Sequence, residues 1–308
     1  MDYDKLIAPD TWEFIRKTAE YYPEDAVDLD IEGQRRVYDA MCKAFHRPHP
    51  AGISTEDRTV DGVPVRIYWA GEPGSTVMYF HGGGFVVGGL ESHDDVCAEI
   101  CAGTGYRVIS VDYRLAPEHR HPAAFRDAWK ATRWAVDHYD QRVVLVGDSA
   151  GGNLAAAVAH HARGRLGGII GQVLIYPGLG GDTTKGSYVE HANAPMLSTA
   201  DVLYYNKVRA DEDGVPTDDA TFAPLQDKNF ADLPRTVIFT AECDPLESDG
   251  PAYAAKLEAE DVPVRVIREP GLVHGYLRGR FMSQAAAESF ERIEVAVEAL
   301  GQGYWPYD

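Results

Sequence analysis

The chain has 308 residues, is 45% hydrophobic and 25% charged, and carries a formal net charge of −19. Those proportions suit a globular protein with a sizeable core, and no apolar run reaches the roughly 18 residues that a membrane span needs. The acidic balance argues against nucleic acid as a partner, because phosphate contacts need clustered Lys and Arg, and its field favours neutral over anionic substrates.

The start, Met1-Asp2-Tyr3-Asp4-Lys5, lacks the basic residues and apolar centre of a secretory signal. Helical patterns cover residues 11–21 and 31–45, joined by an acidic connection containing Pro23, and Pro48, Pro50 and Gly52 mark a loop. Strands 54–60 and 63–70 flank the hairpin turn Asp61-Gly62. Residues 76–80 form a short apolar run of the kind buried on both faces. Then follow a helix over 94–103, a strand over 108–112, a helix over 123–138 and a strand over 143–146. An Ala-rich helix spans 153–160, and two more buried strands span 173–176 and 236–240. A helix over 251–260, a strand over 264–269 and a helix over 283–300 close the chain. Strand and helix alternate from residue 76 onward, which predicts an α/β fold: a mostly parallel sheet with helices on both faces. Residues 178–232 break the rhythm with a turn-rich start, one helix over 198–209 and the acidic loop Asp211-Glu212-Asp213, and read as an insertion. The four cysteines, Cys42, Cys97, Cys101 and Cys243, form no Cys-x-x-Cys and no zinc-ligand spacing. Cys97 and Cys101 share a helix face and read as small buried side chains, so a reducing, cytoplasmic setting without metal is expected.

Gly147-Asp148-Ser149-Ala150-Gly151 sits between the 143–146 strand and the following helix. A serine on such a strand-to-helix turn is held exposed and strained, ready to attack a carbonyl. It needs a base, and the base needs a carboxylate to hold its tautomer. Downstream, Asp244 lies past the 236–240 strand and His274 past the 264–269 strand, both at carboxyl ends where sites of parallel sheets form. Glu242 is a rival carboxylate, and Asp244 is preferred because it lies clear of the strand. His160, His161 and His191 are placed less well than His274, which is flanked by Gly271 and Gly275. The oxyanion formed on attack needs donors, and His81-Gly82-Gly83-Gly84 follows the 76–80 strand. The N–H groups of Gly82, Gly83 and Ala150 are the expected donors.

These residues, together with Asp112-Tyr113-Arg114-Leu115-Ala116-Pro117-Glu118-His119, Asp244-Pro245-Leu246 and His274-Gly275-Tyr276, resemble the bacterial hormone-sensitive-lipase-like carboxylesterases, an α/β-hydrolase family. The resemblance spans roughly residues 75–300 in the family's order. It implies Ser149 as nucleophile with Asp244 and His274, and no metal or organic cofactor. It also implies a catalytic domain of residues 51–177 and 233–308 under a cap made by residues 1–50 and 178–232. Glu247-Ser248-Asp249-Gly250 and the Tyr of His274-Gly275-Tyr276 depart slightly from the family's pattern. Arg114 and Glu118 read as a buried pair bracing the sheet edge. Trp12, Phe14, Phe45, Phe85, Val86, Val87, Leu203, Tyr204 and Tyr205 are candidate pocket walls; Phe85, Val86, Tyr204 and Tyr205 are taken as substrate-binding. The expected substrate is a neutral short- to medium-chain ester, and the family suggests a homodimer. Alternatives are a hydrolase of amides, lactones or carbonates with the same three residues, or a silent small-molecule receptor, against which the presence of His274 counts.

Overall fold

The computed structural model describes residues 1–23, 25–139, 142–216 and 218–307. Helices α1 (Tyr3–Leu6), α2 (Pro9–Ala19) and α3 (Ile31–Phe45) precede the sheet. Then come β1 (Ser54–Val60), β2 (Val63–Trp69), β3 (Thr76–Phe80), α4 (Asp94–Thr104), β4 (Arg107–Val111), α5 (Ala123–His138), β5 (Val143–Asp148) and α6 (Ala150–Ala162). After β6 (Ile169–Ile175), the short α7 (Ser187–Glu190) and α8 (Thr199–Arg209) interrupt the alternation, which resumes with β7 (Arg235–Cys243), α9 (Asp249–Glu258), β8 (Val264–Val273) and α10 (Gln284–Gly301).

The strands form one sheet in the order β1-β2-β4-β3-β5-β6-β7-β8. β1, β2 and β4 pair antiparallel, and every pairing from β4 through β3 to β8 is parallel. Period-two alternation sends Met78, Phe80, Leu145, Leu174 and Ile238 to one face against α5, α6 and α9. Val77, Tyr79, Val144, Val146, Val173 and Phe239 go to the other, against α4 and α10. With both faces covered, the inner strands need no polar side, which is why β3 is buried throughout. A third cluster lies over the carboxyl ends of the strands, where Phe14, Tyr38, Met41 and Phe45 meet Val86, Val87 and Val273.

Helix ends follow local chemistry. The Asp30 carboxylate accepts from Gly33 N–H at 2.7 Å, and Ser198 and Asp201 form a capping box at the start of α8. Cys97 and Cys101 are buried side by side on the α4 face of the sheet, and burial pushes the Cys101 thiol up to about 11.

Two expectations change. β8 runs four residues beyond the expected end at Glu269, through Pro270 and Gly271, because a register shift opposite Ala241 and Cys243 absorbs them. The Glu242 carboxylate accepts the Gly271 N–H at 2.7 Å, and Gly271 takes a φ of +66°. Arg114 and Glu118 do not pair. Arg114 donates to Asp127 at 2.7 and 2.8 Å, while Glu118 accepts from Arg35 of α3 at 2.8 and 2.7 Å. Arg35 also donates to the carbonyls of Val86 at 2.9 Å and Ala116 at 3.2 Å, so one guanidinium ties α3 to the loop after β3.

Candidate active site

Ser149 is the hinge between β5 and α6. Its φ of +54° and ψ of −116° lie outside the ordinary regions for an L-residue, and its N–H continues the sheet by donating to Ile175 O at 2.8 Å. The turn is tight enough that a Cβ on Gly147 would strike the Gly151 carbonyl, and one on Gly151 would strike the Phe80 carbonyl. The two flanking glycines therefore follow from the geometry that exposes the serine.

His274 is the first residue past β8 and Asp244 the first past β7. His274 Nε2 lies 2.8 Å from Ser149 Oγ, and its Nδ1 lies 2.6 Å from Asp244 Oδ2. Asp244 is fully buried, and its other oxygen accepts the Leu246 N–H at 2.8 Å. With the carboxylate accepting a hydrogen bond from Nδ1–H, Nε2 is left as acceptor for the serine hydroxyl. Glu242 is engaged elsewhere, with Gly271 and Arg268. His160 is bound by Asp227 and Tyr253, and His191 by Tyr3.

The glycine run is placed by its neighbours. Tyr113 stacks on the His81 ring at 4.2 Å and donates to the His81 carbonyl at 2.6 Å. Burial and the neighbouring His93 charge push the His81 imidazole down to about 4, so it is neutral at pH 7. Gly82 differs from expectation. Its N–H donates to Asp148 Oδ1 at 3.0 Å and is unavailable to a substrate. Gly83 and Gly84 have no acceptor for their N–H groups among the described residues, and both line the cavity with Ser149 and Ala150. That leaves Gly83 and Gly84, with Ala150 in the first turn of α6, as the candidate donors to an oxyanion. Gly83 has a φ of +121°, and a Cβ there would strike the Val87 carbonyl. Gly83→Ala is expected to lower kcat by about 10²-fold, the usual cost of one lost oxyanion donor, with KM little changed; steady-state kinetics on a chromogenic ester measure it.

Asp148 anchors this loop from below, accepting from Tyr79 at 2.8 Å, Gly82 at 3.0 Å and His93 at 3.3 Å. Burial alone would raise its pKa, but the His93 charge and these hydrogen bonds outweigh that and hold it at about 2. A folded-state value below the unfolded 3.8 stabilises the fold above pH 3.8, and that contribution is lost as pH falls towards 2. The shift corresponds to roughly 2 kcal/mol. The melting-temperature gap between wild type and Asp148→Asn should therefore be largest at neutral pH and shrink between pH 4 and 2, as thermal scans would record.

The cavity above Ser149 has a volume of about 1200 Å³. Trp12, Phe45, Phe85, Val87, Leu203 and Tyr205 line it; Phe14, Val86 and Tyr204 do not. Tyr204 accepts from Gln34 Nε2 at 2.7 Å instead. Val86 and Phe14 are fully buried in the cluster between the N-terminal helices and the sheet. Tyr22, Tyr38, Met41, Arg209 and Arg278 line the cavity and were not picked out from sequence, because no local motif marks them. Asn153 of α6 donates to the carbonyls of Gly178 and Phe222 at 2.8 and 2.9 Å, fastening the inserted segment beside Ser149.

Among the described residues, one group has the donors for a metal ion: His46, His49 and Asp94. There Asp94 already accepts from Arg66 at 2.9 Å and Tyr68 at 2.7 Å, so its charge is compensated within the protein. We read this cluster as a clamp between the end of α3 and the start of α4.

A serine on a strand–helix elbow, an imidazole and a buried carboxylate in one hydrogen-bonded line, all at the carboxyl ends of a parallel sheet, define a hydrolase of the α/β type. Comparison with known proteins places it more closely. Residues 77–278 match the family model described as the alpha/beta hydrolase fold. The chain is 40% identical over 298 residues to Esterase LipI of Mycobacterium tuberculosis, covering 90% of this chain and 91% of the relative. It is 33% identical over 306 residues to the ethyl acetate hydrolase of Pseudomonas putida, covering 93% and 94%. The hyperthermophilic esterase from Pyrobaculum calidifontis superposes with a TM-score of 0.85 at 29% identity, over 96% of this chain and 99% of that one. The chain belongs to the α/β-hydrolase fold family and, within it, to the hormone-sensitive-lipase-like carboxylesterases. No helix among the described residues is long and apolar enough to cross a membrane.

Proposed function

We propose that this carboxylesterase cleaves short- to medium-chain esters through an acyl-enzyme on Ser149. The observation that carries the reading is the line Asp244–His274–Ser149, with contacts of 2.6 and 2.8 Å. His274 Nε2 takes the hydroxyl proton as Ser149 Oγ attacks the ester carbonyl. The N–H groups of Gly83, Gly84 and Ala150 receive the oxyanion. Collapse expels the alcohol, which leaves with the proton held by His274. The imidazole then activates a water, whose attack on the acyl-enzyme releases the acid. Asp244 keeps Nδ1 protonated throughout and balances the imidazolium charge.

The segments around α2, α3 and residues 178–226 act as a cap, since they supply most of the cavity walls. The relative named for ethyl acetate hydrolysis supports small esters as substrates. A p-nitrophenyl ester series from acetate to palmitate tests this, with turnover expected from acetate to octanoate and little at palmitate. A fluorophosphonate probe should label wild type and fail on Ser149→Ala. Absence of ester turnover, or equal labelling of the variant, would refute the proposal.

A further inference from the structure

We propose that Arg278 is an anion-binding group in the substrate cavity, and that esters carrying a remote carboxylate, such as monoesters of dicarboxylic acids, are substrates of this site. The inference rests on the esterase reading above.

Arg278 stands in the 3-10 turn Tyr276–Gly279, four residues after His274, and lines the same cavity as Ser149. Its guanidinium donates to the Tyr38 hydroxyl at 3.0 Å and lies 5.1 Å from the centre of that ring. No carboxylate among the described residues pairs with it, whereas Arg280, two residues on, is bound by Asp95 and Glu99 at 2.7 Å each. Arg209, the other arginine facing the cavity without a carboxylate, is used differently. It packs between Phe85 and Phe222 and donates to Asn153 and to the carbonyls of Thr221 and Phe222. Asp148 also lines the cavity and feels the Arg278 charge across space, but Tyr79, Gly82 and His93 already occupy its oxygens, and it makes no hydrogen bond to Arg278.

The guanidinium therefore has donors to spare, and none of its nitrogens is sealed from the cavity without a partner. Tyr38 accepts from Arg278 and has no acceptor for its own O–H among the described residues. A half-buried cation with donors to spare is costly unless something anionic completes it, and a carboxylate matches the guanidinium fork in a bidentate way. Arg280 also lines the cavity but is paired with Asp95 and Glu99, and Arg209 is committed to Phe85, Phe222 and Asn153, so Arg278 is the guanidinium left for a ligand; with Asp148, Asp182 and Asp201 also on the walls, it suits a monoanion rather than a dianionic phosphate. Repulsion from the distant surface charge is screened over about 8 Å at physiological salt, which leaves the groups lining the cavity to set the local field. In the reaction water adds across the ester: the C–O bond to the alcohol breaks, the alcohol leaves with a proton, and the new carboxyl group ionises to give a dicarboxylate.

The test compares kcat/KM for monoethyl and diethyl succinate, glutarate and adipate, and for acetyl esters of hydroxy acids that place the carboxylate on the alcohol side. Wild type should prefer at least one carboxylate-bearing ester over its neutral counterpart by about tenfold, the scale of one charge-assisted hydrogen-bonded pair. Arg278→Gln should lower that ratio about tenfold through KM, and Arg278→Lys should restore part of it. Free butyrate or hexanoate, each a monoanion, should compete with p-nitrophenyl acetate in wild type, a readout that needs no variant. A wild-type ratio at or below one for every pair, or a ratio unchanged in a folded Arg278→Gln, overturns the proposal. Failure of wild type on p-nitrophenyl acetate as well would overturn the esterase reading itself; turnover of neutral esters alone would remove only the anion site.

Discussion

Ser149→Ala should lower turnover of p-nitrophenyl butyrate by about 10⁵-fold or more, the scale seen when a serine hydrolase loses its nucleophile. The loss should fall on kcat, because the Oγ–carbon bond forms only on the way to the acyl-enzyme and binds no ground state. The fold should persist. Alanine inherits the φ of +54°, and the elbow is held by the Gly147–Gly151 approach and the Ser149 N–H to Ile175, neither of which uses the hydroxyl. Unchanged circular dichroism with residual activity above one part in a thousand would show that another group attacks the ester.

Asp244→Asn should cost about 10⁴-fold in kcat, although the substitution is nearly isosteric. The reason lies in tautomers. An amide nitrogen turned to His274 Nδ1 would favour the imidazole with its proton on Nε2, facing Ser149 Oγ with a donor where an acceptor is needed. Leu246 N–H, which donates to Asp244 Oδ1 at 2.8 Å, reinforces this orientation by holding the amide oxygen on its own side. Activity that rises steeply with pH in the variant would fit hydroxide taking over part of the base's work. A variant within tenfold of wild type would instead assign the orienting role to another carboxylate, with Glu242 the nearest in sequence.

The parts of this molecule that could be read from the chain are those whose cause is local. The limits of β3, α3 and α5 follow from patterns inside each segment, and Ser149, Asp244 and His274 could be ordered because each sits just past an apolar strand. What could not be read depends on partners distant in sequence. Arg35 finds Glu118 across 83 residues, and no pattern near either residue announces it. Gly82 resembles Gly83 in the sequence, yet only the fold brings Asp148 beneath it to take its N–H. The end of β8 was obscured by Pro270-Gly271, a turn signal that a bulge and the Glu242 carboxylate override. Arg278 belongs to the same class, since its lack of a carboxylate partner is a property of its surroundings.

Arg35 connects two things usually treated apart. Its guanidinium holds the Val86 and Ala116 carbonyls, in the loops that follow β3 and β4, while its backbone is part of α3, a wall of the cavity. A movement of α3 would therefore either break those bonds or carry with it the loop that runs from Gly83 and Gly84 to Val86. The helix that walls the cavity and the loop beside the serine are thus held together by one side chain.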